Sequence, residues 1–413
     1  MEFTRFKLKN GLRVVFHEDK NSSLAAINII YDFGSKYENP QKTGLAHLLE
    51  HMMFEGSANV PDFDKVVERA GGTNNAFTNQ DYTSYYLILP KVNLDTALWL
   101  EADRMAALSL DKERYENQKS VVIEEFKQTT LNEPYGDMYG LILNLAYKEH
   151  PYHWPTIGKS VKDIENSTRQ DLIDLYENYY TPDNAILSIS GNFEVDEIKQ
   201  KVEKYFGHIK KKSHKKRNLP QEPQTERRDK TAIKKVPYDA FYLAFPMGNR
   251  LSKSYYAMDV VTDILSAGES GRLYQNLVKE NHIFEEIEAF ISGHLENGLT
   301  MIYGRPAEGV TIKDAENAIW EELEKIKKEE VDDRELKKSL NNLEFDASFI
   351  QTDLLSRTRI LAYFELIGNA ELINKEIEKY ENITKEDIKE YSNKIFDKNK
   401  VSMLSYLSKN KKK

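Results

Sequence analysis

Two imidazoles and a carboxylate stand within five residues, in the run His47-Leu48-Leu49-Glu50-His51. On a helix, positions four apart project from one face about a turn apart, so His47 and His51 can grip a single tetrahedral cation. Glu50 shares that face. One place before the second histidine, it stands beside a metal instead of on it and can take a proton from a water there. The pattern H-x-x-E-H is the inverse of the commoner H-E-x-x-H zinc motif, and the chemistry it points to is that of a zinc peptidase. The surrounding run from Thr43 to Phe54 is rich in apolar residues and competent to be helical, and Gly56 can end it. The plain alternative is a pair of satisfied core histidines. Two His and a Glu on a largely apolar helix are costly to bury without a partner, which favours the metal.

A catalytic zinc takes three protein ligands and keeps one open position, so a third ligand must come from elsewhere. With 0 Cys in the chain, disulfides and thiolate ligands are excluded and the donors must be nitrogen and oxygen. Between Glu116 and Lys127, helical phase puts Glu125 over Val121 and Val122, with Gln118 two turns back on the same stripe. Glu124 falls on a neighbouring, more polar face and reads as solvated charge. A carboxylate inside an apolar stripe wants a cation, so Glu125 is the expected third ligand.

These residues need a framework to hold them. The 413 residues, 40% hydrophobic and 30% charged, describe an ordinary soluble chain of two or three domains with ample core. The net charge of -9 gives no general attraction to nucleic acid. Met1 to Lys7 has no apolar signal core and no stretch approaches membrane-spanning length, so no membrane partner and a cytoplasmic location are expected. Asn10-Gly11 predicts a hairpin between strands Phe3 to Leu8 and Leu12 to His17. Further strands are predicted around Ala25 to Tyr31, Thr73 to Thr78, Tyr82 to Leu89 and Ala185 to Ser190, with helices near Asp62 to Ala70, Leu94 to Leu108 and Lys112 to Thr129. The basic, polar run from Lys210 to Lys230 reads as a linker, dividing an N-terminal zinc-binding domain, 1–209, from a C-terminal domain, 231–413. Across it runs an internal repeat at an offset of 216 residues: Thr168, Asp171, Leu172, Tyr180 and Ala185 fall opposite Thr384, Asp387, Ile388, Phe396 and Val401. His47, Glu50 and His51 fall on Asp263, Ser266 and Ala267, so the second copy keeps the framework without the chemistry.

The stretch HLLEHMMFEGS and the later VVIEEF helix resemble the pitrilysin and insulin-degrading enzyme superfamily of inverted-motif zinc metallopeptidases. So do Gly71 to Thr78, His150-Pro151-Tyr152 through Ile157-Gly158, and Tyr180 to Ala185. The length is that of the short members, which include mitochondrial processing peptidase and its bacterial counterparts. The resemblance implies an α+β fold: two related sandwich-like domains from an internal duplication, each a mixed or antiparallel sheet covered by helices. It implies one zinc per chain, held by His47, His51 and Glu125, with Glu50 as general base. It implies that the strand Asn75, Ala76, Phe77 and Thr78 is a sheet edge to which an extended peptide adds by its backbone. Gln118 stands where the family usually has an acidic residue supporting the site. In the second half, Val278 and Glu285 occupy the positions where relatives commonly place a substrate-holding Arg and Tyr, while Arg272 and Tyr274 look like parts of their own helix. The expected function is therefore a zinc metalloendopeptidase cleaving oligopeptides or unfolded segments inside a closed chamber. The expected assembly is a dimer, either with a catalytically silent paralogue supplying the Arg and Tyr or with a second copy of itself. The alternatives are a non-peptidase binding or assembly subunit that retains zinc, and a processing peptidase with one dedicated substrate.

Overall fold

Asn10-Gly11 turns the chain as its sequence predicts: Gly11 takes φ +99, and the N–H groups of Leu8 and Gly11 close the turn on Leu12 O and Leu8 O. In the computed structural model, which describes residues 1–212 and 218–409, this turn joins the antiparallel strands β1 (Thr4–Lys7) and β2 (Arg13–Glu18). There follow β3 (Leu24–Tyr31), helix α1 (Leu45–Met52), β4 (Thr73–Thr78), β5 (Thr83–Pro90), α2 (Lys112–Phe126), α3 (Met138–Ala146), α4 (Arg169–Tyr179) and β6 (Ala185–Gly191). The strands form one sheet in the order β1-β2-β6-β3-β5-β4. Only β2 and β6 pair in parallel, so the sheet is mixed, and β4 is an edge that pairs with β5 alone.

The second half repeats the plan with β7 (Arg228–Lys234), β8 (Ala240–Pro246), α5 (Lys253–Ser266), β9 (Phe284–Ile291), β10 (Leu299–Pro306), α6 (Asp333–Phe349), α7 (Leu354–Leu366), α8 (Lys385–Ile395) and β11 (Ser402–Ser408). Its sheet runs β7-β11-β8-β10-β9, with β7 and β11 parallel. This is the order β2-β6-β3-β5-β4 over again. The repeated Thr and Asp explain themselves: Thr168 with Asp171 and Thr384 with Asp387 each form a complete capping box, starting α4 and α8 just ahead of β6 and β11. The protein is α+β and internally duplicated. Among the described residues no helix is long and apolar enough to cross a membrane.

The boundary expected in the polar run is only part of the division. One unit comprises Met1–Gln128, Trp154–Asn218 and Ser348–Lys375, and the other Thr129–His153, Leu219–Ala347 and Glu376–Lys413. Each half of the chain therefore gives one helix to the other half's sheet. The reason lies in strands buried on both faces: Ala25 to Tyr31 and Ala185 to Gly191 are buried throughout, and one helical layer cannot cover two faces. α7 supplies the second layer of the first unit, setting Leu361 and Phe364 in a cluster with Val15, and Ala362 in one with Ile30 and Ile186. α3 does the same in the second unit, where Met138, Ile142 and Leu143 join Ala244, Met301, Leu404 and Tyr406. The run from Lys210 to Lys230 is also less of a linker than expected. Ser213 to Arg217 lie outside the described residues, but Glu222 accepts the N–H groups of Lys148, Glu149 and His150, Gln224 accepts from Ser402 Oγ, and β7 has begun by Arg228.

Candidate metal centre

Helix α1 carries His47, Glu50 and His51 and buries Leu45, Ala46, Leu48, Leu49 and Met52 on its opposite side. That division of faces is what the sequence pattern demands of an amphipathic helix. Its first turn begins at Gly44, in left-handed conformation at φ +89, with no side chain to cap the free N–H groups. Glu38 caps them from a separate loop: its carboxylate accepts from Gly44 N–H (3.1 Å) and Ala46 N–H (2.7 Å), and also from Trp154 Nε1 (3.1 Å). Glu38 is fully buried, and burial raises its carboxyl to about 8 against the pull of those donors. After Met52 the chain turns through Gly56 at φ +116, so Gly56 does close the segment.

Helix α2 lies against α1 and buries Tyr115, Val122 and Phe126. Glu125 stands half-exposed over this stripe, and Glu124 is on the solvent side, paired with Lys127 at 2.6 Å. Val121, expected beneath Glu125, is instead 49% exposed, because the packed stripe is only one residue wide there.

The side chains converge. His47 Nε2 and His51 Nε2 are 3.3 Å apart, and they lie 3.8 and 3.5 Å from the carboxylate oxygens of Glu125. Ligands held about 2.0 to 2.1 Å from a tetrahedral zinc are separated from one another by about 3.3 Å. The spacing therefore fits that ion closely. No other group of three or more such side chains among the described residues is gathered in this way. Desolvation, then the neighbouring His51, lowers the His47 imidazole to about 4, so it is neutral at physiological pH, the form that ligates. Its Nδ1 is buried and has no hydrogen-bond partner among the described residues. The Nδ1 of His51 meets Gln118 Oε1 at 3.3 Å.

Glu50 is held beside the trio and not in it. Thr78 Oγ1 donates to Glu50 Oε2 at 2.5 Å, and burial raises the Glu50 carboxyl above its ordinary value while that hydrogen bond opposes the rise. Thr78 ends β4, so the edge strand and the candidate base are coupled through one hydroxyl. Along the same strand, Ala76 N–H is taken by the Asn75 side chain at 2.8 Å, which places that N–H on the open side of the edge. Phe77 packs on Tyr82 and beneath Arg359. Sequence reasoning did not find Glu38, the side-chain role of Thr78, or Glu55, whose carboxylate accepts from Gln118 Nε2 at 2.6 Å. Each reaches the centre from a loop or a strand end, where no periodic pattern marks it. In the second half, Arg272 is engaged with Glu335 at 2.8 and 2.7 Å. Glu285 is exposed on β9 and Val278 packs against the core of its unit.

A duplicated α+β chain whose described residues carry an imidazole and carboxylate cluster in the first copy alone has the build of a peptidase. It belongs to the insulinase family, peptidase family M16. Residues 13–159 match that family, and residues 166–343 match the domain described as the peptidase M16 inactive domain. The chain is 31% identical over 346 residues to the zinc protease PqqE of Helicobacter pylori, covering 82% of this chain and 78% of that one. It is 26% identical to the uncharacterized zinc protease YmxG of Bacillus subtilis, covering 81% of each. Among solved structures, a protease from Helicobacter pylori superposes with a TM-score of 0.93 at 26% identity over 98% of this chain and 99% of that one. Pitrilysin shares the fold with a TM-score of 0.79 at 19% identity, this chain matching 45% of its length.

Proposed function

We propose that this chain is a zinc-dependent endopeptidase acting on oligopeptides or unfolded segments. The observation that carries the reading is the convergence of His47, His51 and Glu125 at ligand spacing, with Glu50 oriented beside them by Thr78. Zinc, when bound, supplies a Lewis acid for the scissile carbonyl and acidifies a water at the site. Glu50 takes the proton from the attacking water and returns it to the leaving amine, and its raised proton affinity suits both transfers. Thr78 keeps the carboxylate aimed. The open edge of β4 receives the substrate as an added strand, which favours extended over folded segments and leaves sequence preference to side-chain pockets.

Val278 and Glu285 favour a division of labour in which a second chain, a catalytically silent paralogue, brings an Arg and a Tyr to the substrate; a homodimer is the simpler assembly. The test is cleavage of internally quenched, unstructured peptides by the purified chain, with and without chelator. Turnover that chelator abolishes and zinc restores supports a self-sufficient peptidase. Zinc-loaded, inert protein that gains turnover when mixed with a paralogue lacking H-x-x-E-H supports the divided form. Zinc-loaded protein inert under both conditions favours the binding or assembly subunit.

A further inference from the structure

We propose that Glu55 is a positioning residue for the metal centre, acting on His51 through Gln118. The inference rests on the zinc reading above. Gln118 Nε2 lies 2.6 Å from Glu55 Oε1, and Gln118 Oε1 lies 3.3 Å from His51 Nδ1. A carboxylate only accepts hydrogen bonds, so the amide must present its N–H to Glu55 and its oxygen to His51. An amide oxygen also only accepts, which places the proton of His51 on Nδ1 and leaves the Nε2 lone pair directed at His47 and Glu125. One carboxylate thus settles both the amide orientation and the imidazole tautomer. Its charge also polarises the amide and makes Nε2 a stronger donor to a cation. His47, whose Nδ1 has no partner among the described residues, receives no such support from them.

Glu55 is itself held. Its backbone carbonyl accepts from Arg114 Nη1, and Arg114 stands one turn before Gln118 on α2. The adjoining Gly56, at φ +116, has Val60 O where a Cβ would lie 2.7 Å away and Arg114 Nη1 where it would lie 2.6 Å away, so the turn closes tightly around this anchor.

The experiment measures the zinc dissociation constant of metal-free protein against a chromophoric chelator, with the melting temperature of each apo protein recorded beside it. The wild type, Glu55→Gln, Gln118→Glu and the double variant Glu55→Gln/Gln118→Glu are compared. Glu55→Gln should weaken zinc binding by about 10-fold to 100-fold. The double variant, which moves the charge onto residue 118, should recover most of that loss. A packing role for Glu55 would not be rescued by a charge at 118, so a folded double variant no tighter than Glu55→Gln overturns the proposal. So does a Glu55→Gln protein that binds zinc within about twofold of the wild type. If the wild type itself takes up no zinc, it is the zinc reading that falls.

Discussion

Glu38 offers a test of how the metal-bearing helix is held, and the structure sets its size. The carboxyl is fully buried at the start of α1 and stands at about 8, against 4.5 for an ordinary glutamate. The unfolded chain therefore gives up this proton first as pH rises. The group's contribution to stability is intact below pH 4.5, drains away through the interval to pH 8, and changes no further above it. At about 1.4 kcal/mol per unit, the loss over that interval is on the order of 5 kcal/mol. Glu38→Gln does not titrate, but its amide nitrogen replaces one of the two oxygens that accept from Gly44, Ala46 and Trp154, so the variant starts below the wild type at pH 5. It should gain on the wild type steadily towards pH 8. A domain of this size moves by about 2 to 4 °C per kcal/mol, so the gain should be roughly 10 °C or more. Calorimetry of the metal-free proteins from pH 5 to 8 reads this directly. Parallel melting curves across the range would refute the argument, because they would mean that Glu38 folds with its ordinary proton affinity.

Thr78→Val keeps the shape of the side chain but removes the hydrogen bond to Glu50, a bond to a charged group worth about 1.5 to 3 kcal/mol. The kcat should fall by about 10-fold to 100-fold with zinc content, measured by atomic absorption, unchanged. Asn75→Ala frees the Ala76 N–H that the Asn75 side chain now occupies, so the KM for an unstructured peptide should drop severalfold while kcat holds. Leu361→Ala opens a cavity under the helix that the second half of the chain lends to the first sheet, at a cost of about 2 to 5 kcal/mol. Hydrogen exchange should then accelerate in β3 and β6 and leave β8 and β11 as they were.

What could be read in the sequence was local. His47, Glu50 and His51 lie about one turn apart on a single helix, which their spacing predicts, whereas Thr168 and Asp171, legible only as marks of the repeat, form a capping box in the structure. Element ends were less legible: the helix expected from Lys112 to Thr129 ends its regular turns at Phe126, and the strand expected from Ala185 to Ser190 runs to Gly191. What could not be read was pairing at a distance. The apolar run of β3 says that both faces must be covered, but nothing in it says that Ile30 will meet Ala362. The stripe on α2 was drawn one residue too wide, since helical phase does not say which of Val121 and Val122 faces α1. Glu38 and Glu55 are single carboxylates in loops, indistinguishable in sequence from solvated charge until the fold brings them to Gly44 and Gln118. The same holds for the division into units, whose crossing helices α3 and α7 stand outside the helices expected from the sequence and carry no mark of which sheet they serve.

The account stands most directly on Glu50 as a base that does not bind the metal. The deciding measurement is turnover per zinc of Glu50→Gln beside the wild type, on one quenched peptide and at equal metal content. If Glu50 is that base, each protein holds one zinc, the wild type cleaves in a chelator-sensitive way, and the variant loses nearly all turnover. Equal turnover in the two proteins, or a variant that has lost its zinc along with its activity, would contradict it.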